Sequence, residues 1–271
     1  MGEWLPEPGP IINSPANDKV KLVRALQRRR VRHKERRFIV EGVRVFEDAI
    51  GAGSVPAFVF LGPKWEGNER VAMLVSRVLT MTAEVYPVGH SLMKTLSDTV
   101  APQDILAVFP FVDLSPLRQD WLLILDGIQD PGNFGTLLRS AEAAGIDQVI
   151  LAPGTVDVYN PKVVRAGAGA HFRLPVADLG WPEIAHLVKG RPVRLAEMES
   201  ILTYYDVDWC SSVALIVSNE GSGPSEEARA LATERIRIPM KGGTESLNAA
   251  VAGSVILFEA ARQRDVLTSK R

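Results

Sequence analysis

Apolar and polar positions along this chain follow two rhythms, and the switches between them mark its elements. From Asn17 onward Val20, Val23 and Leu26, with Leu22, form an apolar stripe at helical spacing, Lys and Arg between them and Asn17 or Asp18 as N-cap. Phe38–Ile50 reads as strand, glycine turn and helix, and Ala57–Leu61 as a buried strand. Glu69–Leu79 is amphipathic through Val71, Leu74, Val75 and Val78. A strand at Val85–Val88, a short helix at His90–Leu96 and a strand at Ile105–Phe109 follow. Strands alternating with helices in this way predict an α/β layer structure.

Pro110–Asp120 has two prolines and no periodicity, and reads as a linker. Trp121–Leu125 is apolar on both faces, the mark of a central strand. A glycine-bearing loop then enters a helix that ends at Gly145, a suitable C-cap. Strand Gln148–Leu151, helix Pro182–Val188 and strands Val193–Ala196 and Val213–Val217 come next. Between them Gly167 and Gly169 suggest close helix packing. Ile236 and Ile238 predict a short buried strand, followed by a glycine turn at 242–243 and a helix over 246–261. Thr244, Glu245 and Ser246 suit that helix's first turn, where hydroxyls and carboxylates meet unpaired N–H groups. Leu247, Val251, Val255 and Phe258 would take one face into a core, while Ala249, Ala250, Ala252 and Gly253 would let another backbone approach.

A length of 271 residues suits two domains. The expected division is a flexible, Pro/Gly-rich 1–16, a first domain at 17–109, the linker at 110–120 and a second domain at 121–271. The hydrophobic share of 46% is ordinary, and no apolar run is long enough to cross a bilayer. One cysteine, Cys210, excludes an internal disulfide; with no signal-peptide pattern at the N-terminus, the expectation is a cytoplasmic protein. The four histidines are scattered, so no metal is expected. A net charge of −1 argues against a strongly basic nucleic-acid binder, but its distribution changes the picture. Between Lys19 and Arg37 there are ten Lys/Arg and one acid, Glu35. Such a segment is either a solvated charged face or a docking surface for phosphates. Arg28, Arg29, Arg30, Arg32, Lys34, Arg36 and Arg37 are the candidates for RNA contact.

Three polar motifs carry the candidate chemistry: Asn133-x-Gly135-x-x-x-Arg139, Ser218-Asn-Glu-Gly-Ser-Gly-Pro224, and Ile238-Pro-Met…Gly242…Glu245-Ser-Leu-Asn248. Singly, each has a bland reading: a surface Arg on a helix, a turn carboxylate, a capped buried helix. Together and in this order they resemble the signatures of the SpoU family of RNA 2′-O-ribose methyltransferases. Two positions depart from that pattern. The second signature usually opens with glycine where this chain has Ser218, and Ala250 stands where the family often has serine. Ile12-Asn-Ser14, Phe38-Ile-Val-Glu-Gly42 and Leu96-Ser-Asp…Pro102-Gln…Ile105-Leu-Ala-Val108 are similar to the family's substrate-binding domain.

The resemblance implies an N-terminal L30e-like α/β domain that binds RNA, then a SPOUT α/β domain with a C-terminal trefoil knot, a rare topology. It implies a homodimer, with helix 246–261 as a candidate surface, and methyl transfer from S-adenosylmethionine to a ribose 2′-hydroxyl in RNA. Ribosomal RNA is the expected substrate and transfer RNA the alternative. Carried onto this chain, the catalytic set is Asn133, Arg139, Glu220, Ser246 and Asn248. The cofactor-binding set is Ser218, Asn219, Gly223, Ile238, Met240 and Leu247. Arginine stays protonated in proteins, which favours a cationic over a basic role for Arg139. Asn133, Ser246 and Asn248 would orient the ribose, and Glu220 would fix the Arg or the loop. Two other classes stay open: a non-catalytic RNA-binding module, and a nucleotide-dependent oxidoreductase, against which the missing Gly-x-Gly-x-x-Gly counts.

Overall fold

The computed structural model describes residues 8–81, 83–97, 103–243 and 246–268. Residues 1–7 of the expected flexible start, Asp98 and Pro102 of the first-domain motif, and Thr244 and Glu245 of the expected helix start lie outside the described residues. The chain forms two compact units: residues up to Val112 together with Asp157–Phe172, and Asp113–Val156 together with the chain from Arg173 on. A short segment from beyond the linker therefore packs with the first unit.

That unit is built from α1 (Asp18–Ala25), α2 (Arg29–Glu35), β1 (Arg37–Glu41), α3 (Val43–Gly51), β2 (Phe58–Leu61), α4 (Glu69–Thr80), β3 (Glu84–Pro87), α5 (His90–Leu96), β4 (Ile105–Pro110) and α7 (Pro161–Ala166). The strands order β1-β4-β2-β3, antiparallel except for the β2–β3 pair. Alternation along each strand separates two cores. Phe38, Val40, Val59 and Leu61 face the layer of α3, α4 and the 157–172 segment; Ile39, Phe58 and Phe60 face α1 and α5. Asn17 caps α1, its side chain accepting from the Lys19 N–H at 2.9 Å. Gly42 turns β1 into α3 at φ +108°, in the region that favours glycine. Gly169, at φ +85°, lies so close to α3 that an added Cβ would stand 2.5 Å from the Asp48 Cβ, which is the close packing its sequence suggests.

The basic segment divides on folding. Arg28, Arg29, Arg30, Lys34 and Arg36 are exposed and Arg37 is half-buried. Arg32 is not a surface cation: it is only 2% exposed. Its guanidinium binds Asp157 Oδ2 through Nε (2.9 Å) and Nη2 (2.5 Å), and Nη1 donates to the carbonyls of Leu26 and Gln27. This corrects its expected RNA contact. A buried cation needs a partner and full hydrogen bonding, and Asp157 with two carbonyls supplies both. Nearby His171 is fully enclosed, its Nε2 donating to the Val158 carbonyl at 2.8 Å; burial pushes the imidazole down to about 4, so it is neutral at pH 7.

The second unit contains β5 (Trp121–Asp126), α6 (Pro131–Ala144), β6 (Gln148–Leu151), β7 (Val176–Asp178), α8 (Trp181–Leu187), β8 (Val193–Ala196), β9 (Leu202–Thr203), β10 (Val213–Ser218), α9 (Glu226–Leu231), β11 (Glu234–Arg237) and α10 (Ala249–Thr268). Its strands are parallel and order β7-β6-β5-β10-β8-β11-β9. β5 and β10 are buried along their whole length at the centre, which is why both read as unbroken apolar runs. One sheet face, through Leu122, Ile124, Ala214 and Ile216, meets α8 and α9. The other carries α6 and α10, which pack on each other. Gly145 ends α6 at φ +84°.

α10 departs from its expected form. It starts at Ala249 rather than Ser246, and the oriented stripe is different. Ala249, Ala250, Ile256, Leu257 and Ala260 are buried, whereas Val251 and Phe258 are 48% and 51% exposed. The inward face therefore mixes small residues with Ile256 and Leu257, and only where α6 comes nearest, at Gly253, is there no room for a side chain. A Cβ on Gly253 would be 2.4 Å from the Leu137 Cδ2. Of the helix expected as a dimer surface, the side carrying Ala249, Ala250 and Gly253 is interior, and the side carrying Val251 and Phe258 is exposed.

Candidate active site

The parallel sheet brings the ends of β8, β10 and β11 side by side, and ligand sites of such sheets lie at the carboxyl ends of the strands. Here those ends open into a cavity of about 370 Å³. Ser218, Asn219, Gly223, Ile238, Met240 and Leu247, chosen from sequence as cofactor contacts, all line it, as do Glu220 and Ser246. Ile238 does so because β11 ends one residue earlier, which leaves it half-buried on the cavity wall rather than within a strand. Sequence reasoning missed Ala196, Glu197 and Arg229, which also line the cavity. Glu197 is gripped by Arg229 at 3.0 Å and Arg235 at 3.3 Å. No local signal marks these residues; only the position of Ala196 at a strand end hints at them.

The loop after β10 is held by side-chain hydrogen bonds. Asn219 Nδ2 donates to the Gly127 carbonyl at 2.9 Å, and its Oδ1 accepts from the Gly221 N–H at 2.7 Å. Asp126, buried at the end of β5, accepts from the Ser225 N–H at 2.8 Å. The next residue, Glu220, joins two helix starts. Its Oε1 accepts from Asn133 Nδ2 at 2.9 Å and from the backbone N–H of Ala249, the first residue of α10. Asn133 sits in the first turn of α6, where Asp130 Oδ1 caps it by accepting from its N–H at 2.8 Å. Asn248 Nδ2 donates to Asn133 Oδ1 at 2.9 Å, while Asn248 Oδ1 accepts from the Ala250 N–H at 3.1 Å. This chain orients both amides: the N–H groups of α10 demand the Asn248 oxygen, and the carboxylate demands the Asn133 nitrogen.

Three of the five residues expected to be catalytic, Asn133, Glu220 and Asn248, therefore form one hydrogen-bonded set, though they are up to 115 positions apart. Glu220 fixes the loop and the helix start, not Arg139. Ser246 reaches the same cavity but precedes α10, and Asn248 takes the capping place expected of 244–246. Arg139 is exposed on α6, one turn beyond the buried Gly135, and no hydrogen bond or ion pair joins it to the set among the described residues. Ala250 is buried in the first turn of α10, its carbonyl accepting from Ser254 Oγ at 2.6 Å. Among the described residues no three His, Cys, Asp or Glu side chains group as metal ligands would, and no helix is long and apolar enough to cross a membrane.

With this geometry in hand, the chain matches two family models: the SpoU rRNA Methylase family over residues 120–258 and the MRM3-like substrate binding domain over 17–107. It belongs to the SpoU family of RNA 2′-O-ribose methyltransferases. It is 34% identical to the mitochondrial rRNA methyltransferase 3A of Danio rerio, across 95% of this chain and 71% of that protein. Against the 23S rRNA (guanosine(2553)-2′-O)-methyltransferase RlmP of Bacillus subtilis it is 30% identical, covering 91% and 97%. The crystal structure of an AdoMet-bound rRNA methyltransferase from Sinorhizobium meliloti superposes with a TM-score of 0.81 at 28% identity, over 93% of this chain and 97% of that one. The SpoU relatives also correct the cytoplasmic expectation. A mitochondrial protein matches over most of the chain, and neither one cysteine nor an absent signal-peptide pattern separates those compartments.

The Glu220 contacts predict how its variants behave. Glu220→Ala removes the acceptor at the start of α10 and costs about 1 kcal/mol in denaturant unfolding, as a lost helix cap does. Glu220→Gln keeps one oxygen in place for both bonds and costs less than half as much. Equal losses would mean that charge, not hydrogen bonding, joins the two helices.

Proposed function

We propose that the asparagine–carboxylate set and the neighbouring cavity together carry out 2′-O-methylation of a ribose in ribosomal RNA. The observation that carries this reading is the Asn248–Asn133–Glu220 chain, which ends in a residue of the cavity wall. The wall fits S-adenosylmethionine: it combines apolar side chains from Val217, Ile236, Leu247 and Ile256 with a few polar groups, the composition of a small-molecule site. When bound, that cofactor supplies an activated methyl group. The chain's own residues do the rest. Asn133 and Asn248, their amides already oriented, and Ser246 hold the target ribose by hydrogen bonds. Arg139 remains protonated and stabilises the negative charge that builds on the 2′-oxygen and its neighbouring phosphate. The first unit, read as L30e-like, recruits RNA through Arg28, Arg29, Arg30, Lys34, Arg36 and Arg37.

Two architectural readings accompany this one. Val251 and Phe258, two turns apart on the exposed side of α10, are an apolar face suited to a homodimer. The C-terminal segment is read as a trefoil knot, supported by β10 and β11, each inserted between strands laid down earlier in the chain. A crystal structure tracing residues 238–248 relative to the β8–β10 connection tests it.

Arg139→Ala should leave fold and cofactor affinity intact while methyl transfer to RNA falls about 10²–10³-fold, the scale of a lost transition-state contact. Arg139→Lys keeps the charge but not the planar fork and should stay nearly as poor. Full turnover by the Ala variant removes Arg139 from the mechanism. Replacing Arg28, Arg29 and Arg30 by Ala should weaken RNA binding and lower its salt dependence by roughly one unit of slope per lost phosphate contact. An unchanged slope would leave the basic run a solvated face. For the dimer, light scattering should find the wild type dimeric and Phe258→Glu monomeric; a monomeric wild type sinks that reading.

A further inference from the structure

Ser218 stands where the SpoU signature usually carries glycine, and its surroundings show what the side chain is free to do. It is the last residue of β10, in parallel register with Asp126, and its backbone does not enter the left-handed region. The conformational freedom of glycine is therefore not needed here, and a side chain fits. That side chain lines the cavity, yet the residue is only 9% exposed. Its Oγ is buried and has no hydrogen-bond partner among the described residues. Buried polar groups are nearly always partnered, and an unmade bond of this kind costs stability.

None of the described polar groups on the same wall hydrogen-bonds to it. The Asn219 amide is held at both ends, by the Gly127 carbonyl and the Gly221 N–H. The Glu197 carboxylate is paired with Arg229 and Arg235 instead, its buried Oε2 left without a hydrogen bond just as the Ser218 Oγ is. Val217, Ile236 and Ile238 make part of the wall apolar, beside the charged Glu220, Arg229 and Arg237. A hydroxyl that faces a cavity, stays out of bulk water and has no partner among the described residues is placed to bond whatever fills the cavity.

We propose that the Ser218 hydroxyl is a cofactor-binding group of this chain, making a hydrogen bond to S-adenosylmethionine that a glycine at this position cannot make. The inference rests on reading the cavity as the cofactor site. It has an unusual consequence: restoring the family's glycine weakens cofactor binding instead of improving it. It also separates two quantities that a structural role would move together. A hydroxyl unpartnered in the free protein contributes nothing to folding, so deleting it lowers affinity without lowering the stability of the free chain.

The test is calorimetric titration of the full chain with S-adenosylmethionine and with S-adenosylhomocysteine, for wild type, Ser218→Ala and Ser218→Gly, alongside melting temperatures without ligand. The expected result is binding about fivefold to tenfold weaker in both variants, the worth of one neutral hydrogen bond. The melting temperature of the free Ser218→Ala protein should equal or exceed that of wild type. Equal affinities in all three proteins would show the hydroxyl to be idle and overturn the proposal while the cavity keeps its role. A lower melting temperature for Ser218→Ala with unchanged affinity would make the hydroxyl structural, and would also overturn it. Failure of the wild type to bind either ligand would bring down the reading of the cavity and this inference with it.

Discussion

The site depends on how closely two helices approach at one end of a parallel sheet. α10 lies against α6 and β10 so tightly that a single methyl at Gly253 would meet both Leu137 and Val217. At that separation Asn248, just ahead of α10, reaches Asn133 in the first turn of α6. Glu220 enters between the two helix starts from the loop after β10. A carboxylate suits this position, because helix N-termini present unpaired N–H groups and the positive end of the helix dipole. With wider helix spacing, the amides would lose the partners that orient them, and the constellation would become three separate polar side chains. Ser254 and Ser140, hydrogen-bonded across the same interface at 2.7 Å, hold the register further along.

The cavity owes its walls to strand order. β8, β10 and β11 are neighbours in the sheet although other elements separate them in the chain, so their ends contribute Ala196, Ser218 and Arg237 to one opening. The two departures from the SpoU pattern then differ in kind. Ser218 adds a polar group to that wall, while Ala250 is buried in the first turn of α10, its N–H bonded to Asn248. The asparagine–carboxylate set is complete without a hydroxyl at 250.

In the first unit the organising interaction is ionic and buried. Arg32 and Asp157 fasten the 157–172 segment to α2, and the stacked rings of Phe111 and Tyr159, 3.9 Å apart, continue the contact. Tyr159 Oη also closes on the backbone of Val112 at both its N–H and its carbonyl. Breaking such a buried ion pair typically costs about 3–5 kcal/mol, so Arg32 belongs to the stability of the fold although its neighbours in sequence face solvent. One run of like residues serves two purposes because a seven-residue helix turns one of its positions inward.

Local pattern determined the alternation of strands and helices, the central placing of Trp121–Leu125, the burial of Val213–Val217, and the caps at Asn17 and Gly145, since each depends on near neighbours only. The polar motifs likewise announced Asn133, Glu220 and Asn248, whose types and order are readable without a fold. Other features needed distant partners. Which face of α10 turns inward was undecidable locally: the helix is apolar on two sides, and only the closeness of α6 selects the side on which Gly253 lies. Arg32 resembled six other cations until Asp157, 125 positions away, came beside it. Glu197 and Arg229 carry no motif at all, and reach the cavity because parallel strands far apart in sequence end side by side. A residue's chemistry is written at its own position, but its partner is chosen by the sheet order and the helix spacing that bring distant positions into contact.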